Sequence, residues 1–366
     1  MIKNKKEFIY SISVGVIFLS LSLTAWFKPS ETFSNTERRQ LAQFPELSVE
    51  TITNGKFMAK FEDYTLDQFP FREEFRGFKS AAHKYVFLQS DNNGIYLADG
   101  HISKLDYPCS SKAKENAVEK FNSIYEKYIQ GTDSKVYFSI IPDKNYFLAK
   151  DNGYLSIDYD AFYKDMENTF DYMEYIEIRD LLTLDDYYYT DTHWRQEKIQ
   201  DVAQRLSEKM GVVLKEKYET IELTTPFYGV YYGQLALPVN PDKIAYMTNP
   251  FFNDCVVYDH EHQKEIPVYD LELATGRDPY EMFLSGSLSV ITIENPNATT
   301  DMELVIFRDS FGSSIAPYFA EGYRKITLLD VRYLNQNMIG NFVEFNNQDV
   351  LFMYSSSVLN NETAFH

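Results

Sequence analysis

An aspartate and a histidine stand two residues apart in the segment TDTHW, and a serine that could pair with them occurs much later, in the segment RDSFG. The three residues are Asp191, His193 and Ser310. A serine hydroxyl becomes a nucleophile when a histidine takes its proton and an acid orients that histidine. The residue types therefore predict acyl-transfer chemistry, with Ser310 as nucleophile, His193 as base and Asp191 as the orienting acid.

Each part of this set also has a purely structural interpretation. Aspartate and serine are preferred at helix N-termini, so Asp309 and Ser310 could simply cap a helix. A lone Asp-x-His pair is more often structural, as part of a packed turn. The combination favours catalysis, because a triad is recognised by the roles of its members and not by their order along the chain.

The elements around Ser310 would place it at the edge of a sheet. Residues 303–330 have the pattern of a strand, a tight loop, a helix and a second strand. In open α/β sheets, sites form beyond the carboxyl ends of the strands. Amides in the first turn of a helix have no partner within the helix, so those of Phe311 and Gly312 are predicted to stabilise an oxyanion.

The Asp-His pair is predicted to lie in a loop just before another helix, over residues 195–211. An apolar stripe with helical spacing runs along it, and Gly211 ends it. Further patterns predict a helix over 112–130 and buried strands in KVYFSIIP and DVLFMYSSS. Strands that alternate with helices predict an α/β fold with a mostly parallel sheet and helices on both faces.

The domain organisation predicted from these patterns has four parts. Residues 1–7 form a cytoplasmic tail, 8–27 a transmembrane signal anchor, 28–90 an extracytoplasmic helical or linker segment, and 91–366 the main domain. Within that domain, the strand-rich segment 215–288 is predicted to be an insertion.

The N-terminal segment determines the expected location of the protein. Lys3, Lys5 and Lys6 precede an uncharged run from Phe8 to Phe27, whose roughly 20 residues are enough to cross a bilayer as a helix. Positive residues keep the short N-terminal side in the cytoplasm, so the body of the chain is expected outside the membrane. A signal peptide cleaved near Ser20 to Ser22 is the alternative.

Composition excludes some functions. The formal net charge of −19 makes nucleic acid an improbable partner, because phosphate backbones would be repelled. The aromatic content of 16% is compatible with stacking on sugar rings. Cys109 and Cys255 define no metal pattern, although a single bridge between them stays open. His260 and His262 have no further ligands nearby, so neither a metal nor another cofactor is expected.

The segments TDTHW, RDSFGSSIAPYF and LLDVRY resemble the DHHW proteins of bacteria, which are similar to the SGNH-hydrolase-like domains of the alginate O-acetyltransferase proteins. The resemblance extends from about Asn35 to the end of the chain. It implies an SGNH-hydrolase-like, flavodoxin-like fold with a circularly permuted Ser-His-Asp triad. It also implies transfer of acetyl groups to exported polysaccharide, beside a membrane-bound O-acyltransferase that supplies them. Thr192 stands where the family name has its second histidine.

Four further residues are candidates for substrate binding. Lys144 and Asn145 follow a buried strand and could line the site or donate to the oxyanion, although a surface turn is the alternative. Trp194 could wall a pocket or stack on a sugar, while core packing is the commoner role of tryptophan. Arg332 could orient an acidic sugar through its planar fork, or form a buried ion pair.

The predicted function is therefore a membrane-anchored, outward-facing O-acetyltransferase that acts on a cell-envelope or exported polysaccharide. Two alternatives remain at this stage. The same chemistry would serve a carbohydrate acetyl-esterase, and the same fold could serve a non-catalytic envelope scaffold or glycan-binding protein. The sequence identifies neither the glycan nor the acetyl donor.

Overall fold

The computed structural model describes residues 5–34, 36–215 and 217–365. Residues 1–4 of the expected cytoplasmic tail therefore lie outside the described residues. The chain divides into two units. The smaller consists of Met1–Asn92 with Gly233–Pro238, and the larger of Asn93–Tyr232 with Val239–His366. All of the predicted site residues belong to the larger unit.

The helices are α1 Lys5–Phe27, α2 Val49–Thr53, α3 Lys56–Asp67, α4 Arg72–Ala81, α5 Ser111–Ile124, α6 Lys144–Asn152, α7 Tyr159–Thr169, α8 Gln200–Lys209, α9 Val230–Leu235, α10 Phe311–Phe319 and α11 Ser356–Leu359. The strands are β1 Phe33–Ser34, β2 Arg39–Gln40, β3 Ile95–Ala98, β4 His101–Lys104, β5 Lys135–Ile141, β6 Glu174–Tyr175, β7 Glu219–Phe227, β8 Asp242–Thr248, β9 Val256–Asp259, β10 Lys264–Ile266, β11 Val290–Glu294, β12 Glu303–Arg308, β13 Lys325–Leu329 and β14 Asp349–Ser355.

The smaller unit begins with α1, which is long and apolar enough to cross a membrane and has no buried residue. A short antiparallel ladder of β1 and β2 follows, and α2, α3 and α4 come next along the chain. The π-helical segment Ala82–Val86 continues directly from α4.

The larger unit is built on a sheet of eight strands in the order β10-β9-β11-β13-β12-β14-β5-β6. The five strands from β13 to β6 are parallel to one another. The other three pair antiparallel, β11 with both β13 and β9, and β10 with β9. The mostly parallel sheet predicted from the sequence is thus confirmed for the five strands from β13 to β6.

Side chains of the central strands alternate between two hydrophobic clusters. In β14, Leu351 and Met353 pack in one cluster, together with residues of α8 and α10. Val350 and Phe352 pack in the other, together with residues of α5 and α7. Because successive side chains of a strand point to opposite faces, helices cover both faces of the sheet.

The segment 215–288 contributes to two sheets. Strands β7 and β8 form a separate antiparallel hairpin, whereas β9 and β10 extend the main sheet through the pairing of β9 with β11. The segment predicted as an insertion therefore also builds the antiparallel edge of the sheet.

The carboxyl ends of the parallel strands lie at one edge of the sheet. Strand β12 ends at Arg308 and leads into α10, while its neighbour β14 ends at Ser355 and leads into α11. Strand β5, on the other side of β14, ends at Ile141 and leads into α6. This edge is where ligand sites form in open α/β sheets.

Candidate active site

Ser310, His193 and Asp191 form a continuous series of hydrogen bonds. The Ser310 Oγ lies 2.7 Å from Nε2 of His193, and Nδ1 of the same ring lies 2.6 Å from Oδ1 of Asp191. Asp191 is buried and only 8% of His193 is exposed, whereas Ser310 is partly exposed. When Nδ1 carries the ring proton and donates a hydrogen bond to the carboxylate, Nε2 is unprotonated and can accept the serine proton.

The Asp-His segment is a closed hairpin loop. The amide of Tyr188 donates to the His193 carbonyl at 3.1 Å, and the amide of Arg195 donates to the Asp186 carbonyl at 2.7 Å. Asp242, on β8, accepts hydrogen bonds from the hydroxyl and amide of Thr190, the residue directly before Asp191. These bonds fix the loop from both sides, so that the order Asp-x-His places both side chains on one side of it.

Asp191 is oriented by three N–H groups. Its Oδ1 accepts from the ring and the amide of His193, and its Oδ2 accepts from the amide of Val230 at 2.8 Å. Gly229 lies so close that a Cβ at this position would stand 2.3 Å from the Cα and Cβ of Asp191. Real Cβ atoms do not approach this closely, so the contact requires glycine at position 229. The sequence signal for it is a glycine between tyrosine and valine in PFYGVYYG.

The turn that carries Ser310 is fixed by the preceding aspartate. The buried carboxylate of Asp309 accepts from the amide of Phe311 at 3.0 Å and from the amide of Ser355 at 2.8 Å. The second bond ties the turn after β12 to the end of β14. A Cβ at Gly312 would stand 2.7 Å from the Cβ of Arg308, so this turn also needs glycine.

The same bonds change the predicted oxyanion donors. The amide of Phe311 donates to the Asp309 carboxylate, and the amide of Gly312 donates to the Asp309 carbonyl at 3.1 Å. Both amides therefore have acceptors inside the turn. First-turn amides have no partner within the helix, but an acceptor immediately before the helix can bind them, and the sequence alone does not reveal this bond.

Tyr280 is a site residue that the sequence reasoning missed. Its ring stacks on the His193 ring with centroids 3.7 Å apart and planes 7° apart, and its hydroxyl is 2.8 Å from the Ser314 Oγ. Burial raises the pKa of this phenol well above its ordinary value, so the ring is a neutral support. Tyr280 is one of 29 tyrosines and lies in the segment predicted as an insertion, so no sequence signal separates it from the others.

Two of the predicted substrate-binding residues have structural partners. Trp194 is fully buried, packs edge-on against Phe311 and donates from Nε1 to the Ser314 Oγ at 2.8 Å. A ring without an exposed face offers no stacking surface for a sugar. Arg332 donates from Nε and Nη2 to the buried carboxylate of Asp330 at 2.9 and 2.6 Å. The structure thus places Trp194 in the core and Arg332 in an ion pair.

Lys144 contacts the backbone of the hairpin loop that carries Asp191 and His193. Its Nζ donates to the carbonyls of Tyr188 and Tyr189 at 2.9 and 3.3 Å. Burial lowers the pKa of this ammonium to about 7, although the charges of Asp191 and Asp242 act in the opposite direction. Lys144 therefore contacts the backbone of the hairpin loop and has no hydrogen bond to Ser310.

Asn145 belongs to a neighbouring hydrogen-bond network. Its Oδ1 accepts from the Tyr96 hydroxyl at 2.9 Å, and its Nδ2 lies 3.3 Å from the Tyr159 hydroxyl. Both of these partners are in the interior of the larger unit. The predicted role of Asn145 as an oxyanion donor is not supported by these contacts.

The remaining histidine and cysteine candidates are separate from this site. His262 lies 2.7 Å from Asp259 through Nδ1, and His260 lies 3.2 Å from the Thr292 hydroxyl. Residues 5–34, 36–215 and 217–365 contain no group of three or more side chains arranged to hold a metal ion. Cys109 and Cys255 are both free thiols.

The fold and this site together define an α/β protein with a serine, a histidine and an aspartate aligned at the carboxyl edge of its sheet. Solved structures with the same fold include a DHHW family protein from Eubacterium siraeum DSM 15702, with a TM-score of 0.60, 22% identity, and coverage of 75% of this chain and 94% of that chain. They also include Bacillus cereus PatB1, with a TM-score of 0.58 and 19% identity, and the match covers 75% of this chain and 100% of that chain.

A further structure of PatB1, with a sulfonyl adduct, matches with a TM-score of 0.54 and 20% identity, and covers 74% of this chain and 98% of that chain. No family model and no curated protein matches the chain. The resemblance to the DHHW proteins seen in the sequence is thus confirmed at the level of the fold.

Proposed function

We propose that this chain is a membrane-anchored serine O-acetyltransferase that acts outside the membrane on a cell-envelope or exported polysaccharide. The observation that carries the proposal is the unbroken series from Asp191 through His193 to Ser310, with its serine end partly exposed. A packed turn would not require a serine from a distant strand end within 2.7 Å of the imidazole.

The fold supports the proposal through its strand order. If the parallel strands are numbered from β12, they run β12, β13, β14, β5 and β6, and their spatial order becomes 2-1-3-4-5. This is the flavodoxin-like order, in which sites form where the order reverses, between the first and third strands. Ser310 follows the first of these, and the bond from Ser355 to Asp309 joins the two strand ends. We therefore assign a circularly permuted SGNH-hydrolase-like fold.

The geometry fits a two-step acyl transfer. In the first step His193 Nε2 takes the hydroxyl proton while Ser310 Oγ attacks the acetyl carbonyl of the donor. The tetrahedral intermediate expels the donor group, which receives the proton from His193, and acetyl-Ser310 remains. In the second step a glycan hydroxyl gives its proton to His193 and attacks the acetyl carbonyl. The bond to Ser310 breaks, and His193 returns the proton to the serine oxygen.

The amide of Ser310 is the proposed oxyanion donor in place of those of Phe311 and Gly312. Among the described residues this amide has no acceptor, and it lies at the N-terminus of α10, where the helix dipole favours negative charge. One such donor is worth roughly 3 kcal/mol of transition-state stabilisation. Transfer exceeds hydrolysis only if the glycan hydroxyl is positioned closer to the acetyl carbonyl than water is.

The partners follow from the anchor and from the resemblance to the DHHW proteins. Helix α1 would place the larger unit on the outer side of the membrane, where polysaccharide acceptors are found. The acetyl donor would be supplied by a membrane-bound O-acyltransferase. The proposed reaction uses no cofactor or metal, because the serine forms the covalent intermediate and the imidazole carries the proton.

The test is an acetyl-transfer assay on the full chain in lipid vesicles. A chromogenic acetyl ester serves as donor, oligosaccharide fragments of envelope polysaccharides serve as acceptors, and acetylated sugar is measured by mass spectrometry. We expect sugar acetylation that is abolished by Ser310→Ala and retained by the control variant Ser313→Ala, in the first turn of α10. Release of acetate without acetylated sugar would indicate an esterase instead. No turnover with any ester would contradict an enzymatic role.

A further inference from the structure

Helix α4 in the smaller unit presents two phenylalanines to solvent and directs two arginines into the protein. Phe75 and Phe78 are 48% and 73% exposed, whereas Ser80 is buried and the side chains of Arg72 and Arg76 are only 15% and 21% exposed. Helices at the surface of water-soluble proteins have the opposite arrangement. Exposed large apolar residues in a contiguous patch indicate a surface that something covers.

The charged face of α4 is satisfied inside the unit. Arg72 and Arg76 both pair with Glu37, and Arg72 also lies 3.5 Å from Asp67. The Arg39 guanidinium donates to Asp67 and holds the pKa of that carboxyl below its ordinary value. This network fixes which side of α4 faces inward, so the outward direction of the phenylalanines is determined by the fold.

Further exposed apolar side chains precede and follow α4 along the chain. We define the aromatic face as the exposed apolar side chains between positions 66 and 88. Its members are Leu66, Phe69, Phe71, Phe75, Phe78, Tyr85, Val86, Phe87 and Leu88. Phenylalanine and tyrosine dominate it, which is the composition of segments that lie in the headgroup region of a bilayer.

The aromatic face lies next to the point where the anchor ends. Glu31, four residues after the end of α1, exchanges two hydrogen bonds with Gln68, at 2.9 and 2.8 Å. Four residues span at most about 14 Å. Phe71 and Thr24, which belongs to the last turns of α1, line the same cavity of about 480 Å³. The aromatic face therefore starts beside the end of the anchor that faces away from the N-terminus.

We infer that the aromatic face is a lipid-binding surface that lies in the outer interfacial region of the bilayer that α1 spans. Each interfacial region is roughly 5–7 Å thick, within the distance that four residues can bridge. Burial of the phenylalanine rings removes them from water, while Arg72 and Arg76, whose charges would resist this, are paired with Glu37 inside the unit. The face would orient the smaller unit on the membrane and not merely tether it. The lipid-binding surface and the proposed function have only α1 in common, so a failure of acetyl transfer would not affect the proposed membrane contact.

The test measures the environment of single labelled positions in the full chain. In a cysteine-free background, Cys109→Ser with Cys255→Ser, one cysteine is introduced as Phe78→Cys or, as the matched control, as Glu73→Cys. Glu73 lies on roughly the opposite side of the same helix, since successive residues turn by about 100°. Each variant is labelled with a small fluorophore and reconstituted into vesicles of phosphatidylcholine with a minority of phosphatidylglycerol.

Quenching by nitroxide lipids and by aqueous iodide then decides the question. We expect the label at position 78 to be quenched by nitroxide lipid and to have a several-fold lower Stern–Volmer constant for iodide than the label at position 73. Equal iodide quenching at both positions would overturn the inference. Protection of position 78 from both quenchers would also overturn it, because a second copy of the chain would then cover the face. Phe75→Cys provides the same readout if Phe78→Cys fails to fold.

Discussion

Asp191→Asn isolates the contribution of the orienting acid, because it removes one charge and changes almost no volume. Both carboxylate oxygens of Asp191 accept from backbone N–H groups, Oδ1 from His193 and Oδ2 from Val230. The amide NH₂ of the asparagine must therefore face one N–H donor in either orientation. If it lies at the Oδ1 position, it also turns Nδ1 of His193 into an acceptor, which leaves Nε2 protonated and unable to accept the Ser310 proton.

Neither orientation provides both the correct tautomer and a negative charge near the imidazolium. In triads of this geometry the exchange lowers kcat by about 10⁴. With one orientation still able to present the correct tautomer, we expect a loss of about 10³ to 10⁴, which is roughly 4 to 5.5 kcal/mol. KM for the donor should change little, because Asp191 is buried beneath the histidine.

The assay is steady-state hydrolysis of a chromogenic acetyl ester by the full chain, with thermal unfolding measured in parallel. Asp259→Asn is the matched control. Asp259 is also buried and also pairs with a histidine, His262, at 2.7 Å, but that pair is not hydrogen-bonded to a serine. A folded Asp191→Asn variant with kcat within a factor of about ten of the native chain would refute the reasoning.

Two further predictions concern the supports of the site, and a third concerns Asp106, a buried carboxyl that accepts a hydrogen bond from Asn360. Gly229→Ala would force a Cβ to within 2.3 Å of Asp191, so we expect about 1–3 kcal/mol of destabilisation and a lower kcat, measured by denaturant titration and ester hydrolysis. The pKa of Lys144 is about 7 in the folded chain and 10.5 in the unfolded chain, so the unfolded chain binds more protons between these pH values. The contribution of Lys144 to the free energy of unfolding therefore grows with pH, at up to ~1.4 kcal/mol per pH unit. Lys144→Met should remove this slope, and an unchanged slope in urea titrations would contradict the assignment. Burial and the charge of Asp143 raise the pKa of Asp106 to about 8 in the folded chain, against 3.8 for the unfolded chain. The folded chain therefore binds more protons between these values, and the stability that Asp106 contributes is lost as pH rises from 3.8 to 8. Asp106→Asn should raise the melting temperature more above pH 8 than below pH 3.8.

The sequence was sufficient to select, as candidates, the three residues that the structure joins by hydrogen bonds. Asp191, His193 and Ser310 could be selected because each stands at the boundary of a recognisable strand or helix pattern, and boundaries of this kind meet at one edge of a parallel sheet. The buried strands β5 and β14 were predictable from continuous apolar runs. The alternation of strands and helices then gave the fold class.

The supports of the site could not be predicted, because their roles depend on contacts between distant segments. Tyr280 stacks on His193, Asp242 fixes Thr190, and Gly229 touches Asp191, yet each belongs to the segment that reads from the sequence as an insertion. Trp194 was ambiguous because composition does not reveal whether a ring has an exposed face. The sequence does not show that Asp309, immediately before the helix, accepts hydrogen bonds from the amides of Phe311 and Gly312, which were predicted as oxyanion donors.

The most direct test of the central claim is the location of the acetyl group during turnover. The full chain is mixed with a chromogenic acetyl ester, quenched in acid within the first turnovers, and analysed by intact-mass and peptide mass spectrometry. The account predicts one acetyl group per chain on the peptide that contains Ser310, and none in the Ser310→Ala variant. Turnover that continues with Ser310 unmodified, or with the acetyl group on another residue, would contradict it.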